Sequence, residues 1–312
     1  MGTLCIVGGS GFVGGHLLNR WSGQHTIKIL SRHGDGSALA RVAPGSRHYA
    51  IDVYDPDMLA HHFAGADAVV NLVGILNEKG NDGSGFERAH VTLTETVIDA
   101  CRRAEVSRLL QMSSLKAGEG ESHYLISKGK AEARVRDSGL DWTILRPSTI
   151  FGPGDSFLLR FASLLKMVPL FMPLACPNAR MQPVYVADVA AAFDRALTDR
   201  RAFGQTWELG GPEVMTLKEI VAYLRDLLGL RRTIIGLPDG IARLQASVFD
   251  LVPGKPFSSD NFRSLQSDSV TDDNALPKLG ITPTPMNAVV PRYLGNRTRA
   301  DRLQDFRVDH RT

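Results

Sequence analysis

Cysteine is scarce in this chain of 312 residues: only Cys5, Cys101 and Cys176. They are scattered without metal-ligand spacing. Their odd number, in strand-like or helical settings, fits buried thiols in a reducing compartment rather than a disulfide framework. His61-His62 has no cysteine or second histidine pair near it, so no metal centre is expected. Neither sign of charge dominates. The formal net charge of +3 is too small to argue for nucleic acid as a partner. No internal repeat is visible, and no signal or transit peptide is read ahead of the first apolar run. The most apolar stretch, FLLRFASLLKMVPLFMPL at 157–174, has the length of a membrane span. Arg160, Lys166, Pro169 and Pro173 interrupt it, which argues against a transmembrane helix. It reads first as a helix lining a cleft and second as a docking surface for a partner or membrane. With 43% hydrophobic and 22% charged residues, the chain suits a cytoplasmic globular protein with a large α/β unit and a smaller appended region.

What is present is concentrated at the N-terminus. Leu4-Cys5-Ile6-Val7 runs into Gly8-Gly9-Ser10-Gly11-Phe12-Val13-Gly14, and an amphipathic stretch follows at once. That order reads as buried strand, glycine turn, helix start. Gly8 permits a tight turn, Gly11 lets backbone approach a pyrophosphate, and Gly14 lets the helix pack closely on its strand. Phe12 and Val13 complete the turn, and the helix N-terminus offers N–H groups to phosphate. A dinucleotide is the expected small-molecule partner. The second strand, Thr26–Leu30, ends in Ser31-Arg32, with no acid before Asp35. An acid there would hold the ribose 2′-hydroxyl of NAD(H), whereas Arg32 can pair with a 2′-phosphate, so NADP(H) is favoured over NAD(H).

Helix and strand patterns then alternate, the sign of a doubly wound parallel Rossmann sheet. Tyr49–Val53 reads as a third strand, with Asp52 and Val53 near an adenine ring. Ala68–Gly74 reads as a fourth, placing Asn71, Val73 and Gly74 against the cofactor. A long helix over about 86–104 leads to the strand Leu109–Met112 and to Ser113-Ser114. In Tyr124-Leu125-Ile126-Ser127-Lys128 the first and last residues share one helix face. An ammonium one turn away favours a phenolate, the chemistry of a general acid or base. The strand-end serine can hydrogen-bond a carbonyl or alcohol.

On GGSGFVG at 8–14, NLVG at 71–74, SS at 113–114, YLISK at 124–128 and LRPSTIFGPGD at 145–155, the chain resembles the extended or atypical branch of the short-chain dehydrogenase/reductase superfamily. The resemblance implies Ser114, Tyr124 and Lys128 as catalytic residues, Lys128 also on the cofactor ribose, and Pro147, Ser148 and Thr149 near the nicotinamide. ARMQPVYVADVA at 179–190, GQTWELGGPEVMTLKEI at 204–220 and SSDNFRSLQSDSV at 258–270 resemble more closely the family of the nucleotide-binding accessory subunit of respiratory complex I and its bacterial relatives. That likeness implies bound NADP(H), held as a structural cofactor in the respiratory subunit, and a respiratory-complex or membrane-peripheral partner, with a place at the inner membrane. Two departures stand out. Ten residues separate Ser114 from Tyr124, fewer than the extended enzymes generally use, which puts the reach of Ser114 in question. Leu115-Lys116-Ala117-Gly118 also replaces the usual Tyr-Gly pair after the serine.

The expected organisation is a dinucleotide-binding unit over 1–150, to which 180–205 returns, a C-terminal cap from 151–179 and 206–295, and a charged tail at 296–312. Within the cap, Thr216 with Glu219 three positions on predicts a capped amphipathic helix reaching Leu230. Two functions follow. One is an NADP(H)-dependent oxidoreductase acting on an apolar or quinone-like substrate, with a sugar-nucleotide epimerase or dehydratase as the variant using the same Tyr124 and Lys128. The other is a cofactor-holding protein that docks on an assembly without turning over.

Overall fold

Short runs of branched aliphatic residues, buried on both faces, build the centre of the molecule. The computed structural model describes residues 2–32, 43, 45–253 and 255–295; the tail expected at 296–312 lies outside them. Seven parallel strands form the main sheet: β1 (Thr3–Val7), β2 (Thr26–Ser31), β3 (Ser46–Ala50), β4 (Ala68–Asn71), β5 (Arg108–Met112), β6 (Asp141–Pro147) and, later in the chain, β11 (Gln205–Leu209). Their order is β11-β6-β5-β4-β1-β2-β3. From β1 the chain winds one way through β2 and β3, then returns to β4 and winds the other way. This is a doubly wound Rossmann sheet, and the crevice beyond the carboxyl ends of β1 and β4 is its natural ligand site.

Helix α1 (Phe12–Trp21) packs on one face of the sheet together with the later helix Val186–Thr198, through Leu17, Leu18, Trp21, Val189 and Phe193. The other face is covered by α2 (Pro56–Phe63), by α3 (Ser84–Phe86) continuing through a π-helical turn, Glu87–Thr92, into α4 (Leu93–Arg103), and by α5 (His123–Arg136). The π-helical turn has no period-3.6 signature to betray it in sequence. All three cysteines are buried. Burial pushes the Cys5 thiol up to about 11 and Cys101 up to about 12, so they are packed thiols, not nucleophiles.

Three boundaries differ from the sequence reading. The third strand ends at Ala50, not Val53. Asp52 accepts the Tyr54 N–H at 3.0 Å and Asp55 caps α2 ahead of Pro56, so Ile51–Asp55 is spent on turn and cap. β11 carries the main sheet to Leu209, four residues into the stretch expected to belong to the cap. The helix begun at Thr216 has the expected reciprocal Thr216–Glu219 cap but stops at Leu227, just before Gly229 with φ +65°.

Beyond the sheet lie β7 (Ile150–Phe151), α6 (Phe157–Met167), β8 (Phe171–Leu174), β9 (Arg180–Met181), β10 (Val184–Tyr185) and α7 (Val186–Thr198), the helix already placed on the sheet. After β11 come β12 (Met215–Thr216), α8 (Leu217–Leu227), β13 (Thr233–Gly236), α9 (Asp239–Phe249), α10 (Ser259–Ser264), α11 (Ala275–Lys278) and α12 (Met286–Leu294). Helices α6, α8 and α12 share a second apolar core built on Leu158, Leu165, Ile220, Leu224 and Val290. No helix among the described residues is long and apolar enough to cross a membrane.

Candidate functional site

A cleft of about 880 Å³ opens between the carboxyl ends of the main-sheet strands and the C-terminal elements. Its floor is the glycine turn. Gly8 sits at φ +78°, and its N–H donates to the Leu30 carbonyl at 2.9 Å. A Cβ at Gly14 would lie 2.2 Å from the Gly9 carbonyl oxygen, so only glycine lets α1 approach the turn this closely. Gly11 is different. A Cβ there would meet only the Gly8 carbonyl oxygen at 3.4 Å, an ordinary contact. The missing side chain leaves a hollow at the start of α1, where no side chain caps the helix and no acid stands in the first turn. That hollow and the free helix dipole fit a pyrophosphate.

Gly8, Gly11, Phe12, Val13 and Gly14 all line this cleft, as do Ser31 and Arg32 at the end of β2 and Val53 beyond β3. Asp52 does not; it is exposed and held by its own turn. Asn71 does not reach the cleft either. It is buried, donating to Gln111 Oε1 at 3.0 Å and accepting the Val73 N–H at 3.2 Å. It therefore shapes the loop that carries Val73 and Gly74 to the cleft wall, rather than meeting a ligand itself.

The opposite wall brings together Ser114, Tyr124 and Lys128, with Pro147, Ser148 and Thr149 alongside. The short connection from Ser114 to Tyr124 is no obstacle, because Lys116, Gly118 and Gly120 all adopt positive φ and fold it into tight turns. Among the described residues the Ser113 hydroxyl is buried without a hydrogen bond, and the Ser114 hydroxyl has no partner but the neighbouring Tyr124 phenol. Orphaned polar groups in a cleft wall are what a ligand would satisfy. Burial raises the Tyr124 phenol above its ordinary pKa, while the neighbouring Ser114 hydroxyl pulls it down. Tyr124 is thus protonated at neutral pH. Lys128 is almost completely buried; desolvation lowers it to about 8, and Glu132 partly opposes the shift. Its Nζ reaches the Met112 carbonyl at 3.4 Å, and a Cβ at Gly74 would lie 3.1 Å from that Nζ.

The sequence reading missed two groups that hold this wall. His90, on the π-helical turn, accepts the Ile75 N–H at Nε2 (3.1 Å), which places its proton on Nδ1, 2.8 Å from Ser127 Oγ. Ser127 in turn donates to the Tyr124 carbonyl at 2.8 Å. Burial, with Lys128 nearby, depresses His90 to about 2, so it is a neutral strut. A histidine inside an amphipathic helix carries no sequence signal for this. The second group is Asp260 of α10, whose carboxylate accepts the His123 N–H at 2.7 Å, the Tyr124 N–H at 3.1 Å and the Ser122 hydroxyl at 2.9 Å. The C-terminal region thus supplies the anion at the N-terminus of the helix that bears Tyr124. Asp260→Ala should cost about 2 kcal/mol, because buried donors lose their acceptor. Urea unfolding would read this loss, and a change below about 0.5 kcal/mol would contradict it.

Residues 8–155 match the NAD(P)H-binding family model. Over 292 residues the chain is 29% identical to the mitochondrial NADH dehydrogenase (ubiquinone) 1 alpha subcomplex subunit 9 of Arabidopsis thaliana, covering 87% of this chain and 71% of that protein. It is 32% identical over 243 residues to the subunit of the same name from Mus musculus, covering 75% of this chain but only 63% of the mouse protein. A ceramide reductase of Caulobacter vibrioides is 29% identical over 258 residues, covering 76% of this chain and 74% of that one. Among solved structures, DesIV from Streptomyces venezuelae, a dTDP-glucose 4,6-dehydratase with NAD bound, superposes with TM-score 0.73 at 20% identity. That match covers 93% of this chain and 95% of DesIV, and it shows the fold alone. The chain thus carries an NAD(P)H-binding domain over residues 8–155 and is homologous along most of its length to proteins named alpha subcomplex subunit 9 of NADH dehydrogenase.

Proposed function

We propose that the protein holds NADP(H) and serves as a reductase for an apolar carbonyl compound, with Ser114, Tyr124 and Lys128 as its catalytic residues. The observation that carries this reading is the buried Ser114 hydroxyl paired only with the protonated Tyr124 phenol in the cleft wall, with the buried Lys128 one helical turn from Tyr124. When bound, the nicotinamide supplies the hydride. Ser114 donates a hydrogen bond to the substrate oxygen, and Tyr124 hands its proton to the same oxygen as the alcohol forms. The Lys128 charge then stabilises the phenolate left behind.

The remaining cleft wall favours an apolar substrate. Phe157, Phe161, Leu164, Met172, Met181 and Phe249 line it, which weighs against a sugar nucleotide. Tight binding of a nucleotide-diphosphate sugar in calorimetry would reverse that choice. The name of the Caulobacter relative, a ceramide reductase, agrees with reduction of a lipid-like compound.

NADP(H) rather than NAD(H) rests on Arg32, which lines the cleft at the end of β2. Arg32→Ala should weaken NADPH about tenfold to a hundredfold, the value of one charge-assisted hydrogen bond, and leave NADH within about threefold. Equal losses for both cofactors in a fluorescence titration would remove the argument. Identifying and quantifying the nucleotide released when the purified protein is denatured tests the resident cofactor directly.

A second reading draws on the relatives named as NADH dehydrogenase subunits: a cofactor-holding protein docked on a respiratory assembly. We infer a cytoplasmic protein in the first reading and attachment to the periphery of the inner membrane in the second. Near-stoichiometric NADP(H) combined with full function of a Tyr124→Phe variant would favour the docked form.

A further inference from the structure

We propose that α9, together with the β8–β13 ribbon, forms a docking surface for an anionic lipid bilayer.

Helix α9 is turned inside out. Ordinary helices of this protein bury their large side chains, as α8 does with Leu217, Ile220, Val221 and Leu224. Helix α9 buries only Ala242 and Ala246. Its large aliphatic residues face solvent: Ile241, Leu244 (65% exposed) and Val248 (52%) recur at helical spacing along one side, and Leu251 (84%) and Val252 follow the last turn. Burying alanines while exposing leucines costs the isolated chain the transfer free energy of each aliphatic side chain. An unpartnered face of this kind marks an interaction site rather than chance exposure.

The apolar surface extends beyond the helix. Met167 (78% exposed), Leu170 and Phe171 stand out between α6 and β8, and Ile235 stands out on β13, opposite Pro173 of β8. The two parts are joined. Ala242 and Ala246 pack on Ala175, Cys176 and Ala179, directly after β8, and the Leu237 N–H donates to the Leu174 carbonyl at 2.9 Å.

Charge selects the occupant. Segments 157–174, 228–238 and 239–252 carry Arg160, Lys166, Arg231, Arg232 and Arg243 against Asp239 and Asp250. Arg160 is held in the cleft by the Pro256 carbonyl, Arg243 lies over the Phe262 ring and Asp250 accepts the Ser259 N–H, which leaves Lys166, Arg231 and Arg232 against Asp239. A basic rim would repel the same face of a second copy. The outward residues are mostly aliphatic, without the cluster of aromatic anchors typical of protein interfaces. Aliphatic side chains on one helix face, rimmed by long cations whose stems can lie along the apolar layer, match a helix lying in the lipid headgroup region. Gln245 and Phe249 of α9 and Met172 and Pro173 of β8 also line the cleft, so the same elements border its entrance. The docking surface stands whether or not the cleft turns a substrate over.

Flotation of the full chain with phosphatidylcholine vesicles, with and without phosphatidylglycerol, tests this. Binding should require phosphatidylglycerol and weaken as salt rises. Leu244→Glu, Val248→Glu and Leu251→Glu together should abolish it. Arg231→Ala with Arg232→Ala should lower partitioning about thirtyfold. Both variants should keep the wild-type melting temperature and NADPH affinity, since none of these side chains lines the cofactor cradle. Failure to bind anionic vesicles overturns the proposal. So does binding that survives both variants, a dimer abolished by the glutamate variant without vesicle binding, or a stoichiometric protein partner displaced by it under the same conditions.

Discussion

Tyr124→Phe should lower the rate of carbonyl reduction by about a hundredfold to ten-thousandfold, the usual worth of a positioned general acid, with NADPH affinity unchanged to within about twofold. Removing one hydroxyl leaves the helix, its Asp260 anchor and the His90 strut in place, because these hold the Tyr124 backbone rather than its phenol. The loss should therefore fall on the chemical step, visible in single turnovers of NADPH with long-chain ketones or quinones. An unchanged rate would move the conclusion to the docked, non-catalytic form. The pH profile adds a second readout. Burial raises the Tyr124 phenol, so the proton to be donated is present throughout the neutral range. Burial lowers Lys128 to about 8, so its charge fades as pH climbs through that value, and with it the stabilisation of the phenolate. Reduction should hold below pH 8 and decline above it. The same shift has a consequence for stability. Because the folded-state pKa of Lys128 lies below its ordinary 10.5, the cost of burying the ammonium is complete below about pH 8 and is relieved as pH rises from there toward 10.5. Activity and stability should thus move in opposite directions on the alkaline side.

The parts of this molecule that were legible in the sequence are those whose physics is local. A strand, a glycine turn and a helix succeed one another within residues 3–21, so their meaning is contained in their order. The Thr216–Glu219 cap is likewise a matter of three residues. Asn71 and Asp52 show where such reading stops. Both stand beside cleft-lining residues, yet Asn71 turns inward to Gln111, forty positions away, and Asp52 is claimed by its own turn. A residue at a strand end can face the ligand or brace the residue that does, and only the partner decides. Asp260 was beyond sequence reasoning for the same reason. It completes a helix that begins 137 residues earlier, and no periodicity links an acid in one segment to bare N–H groups in another. The apolar run 157–174 was legible in composition but not in orientation. Phe157, Phe161 and Leu164 line the cleft, while Met167, Leu170 and Phe171 face outward, so one run serves two different faces.

Three neighbouring glycines should respond to alanine in three different ways, and the pattern separates folding from cofactor binding. Gly14→Ala places a Cβ 2.2 Å from the Gly9 carbonyl oxygen and 2.5 Å from the Gly9 carbonyl carbon. Both are backbone atoms of the turn, and no rotamer change relieves them, so α1 must move off the sheet. We expect a loss of about 3 kcal/mol or more, at the upper end of overpacking penalties, together with loss of bound dinucleotide. Gly11→Ala meets only an ordinary 3.4 Å contact. Its unfolding free energy should stay within about 0.5 kcal/mol of wild type, while dinucleotide binding falls at least about tenfold, because the methyl group occupies the hollow that the pyrophosphate would fill. Gly15→Ala meets nothing within 4 Å inside α1. It should raise stability by about 0.8 kcal/mol through helix propensity and leave binding unchanged. Urea unfolding and NADPH titration on the three variants give six numbers. A binding defect at Gly14 and none at Gly11 would mean that the glycine turn serves the fold alone and that the dinucleotide is held elsewhere. A binding defect at Gly11 with intact stability would leave the turn no structural reason for that glycine except the ligand.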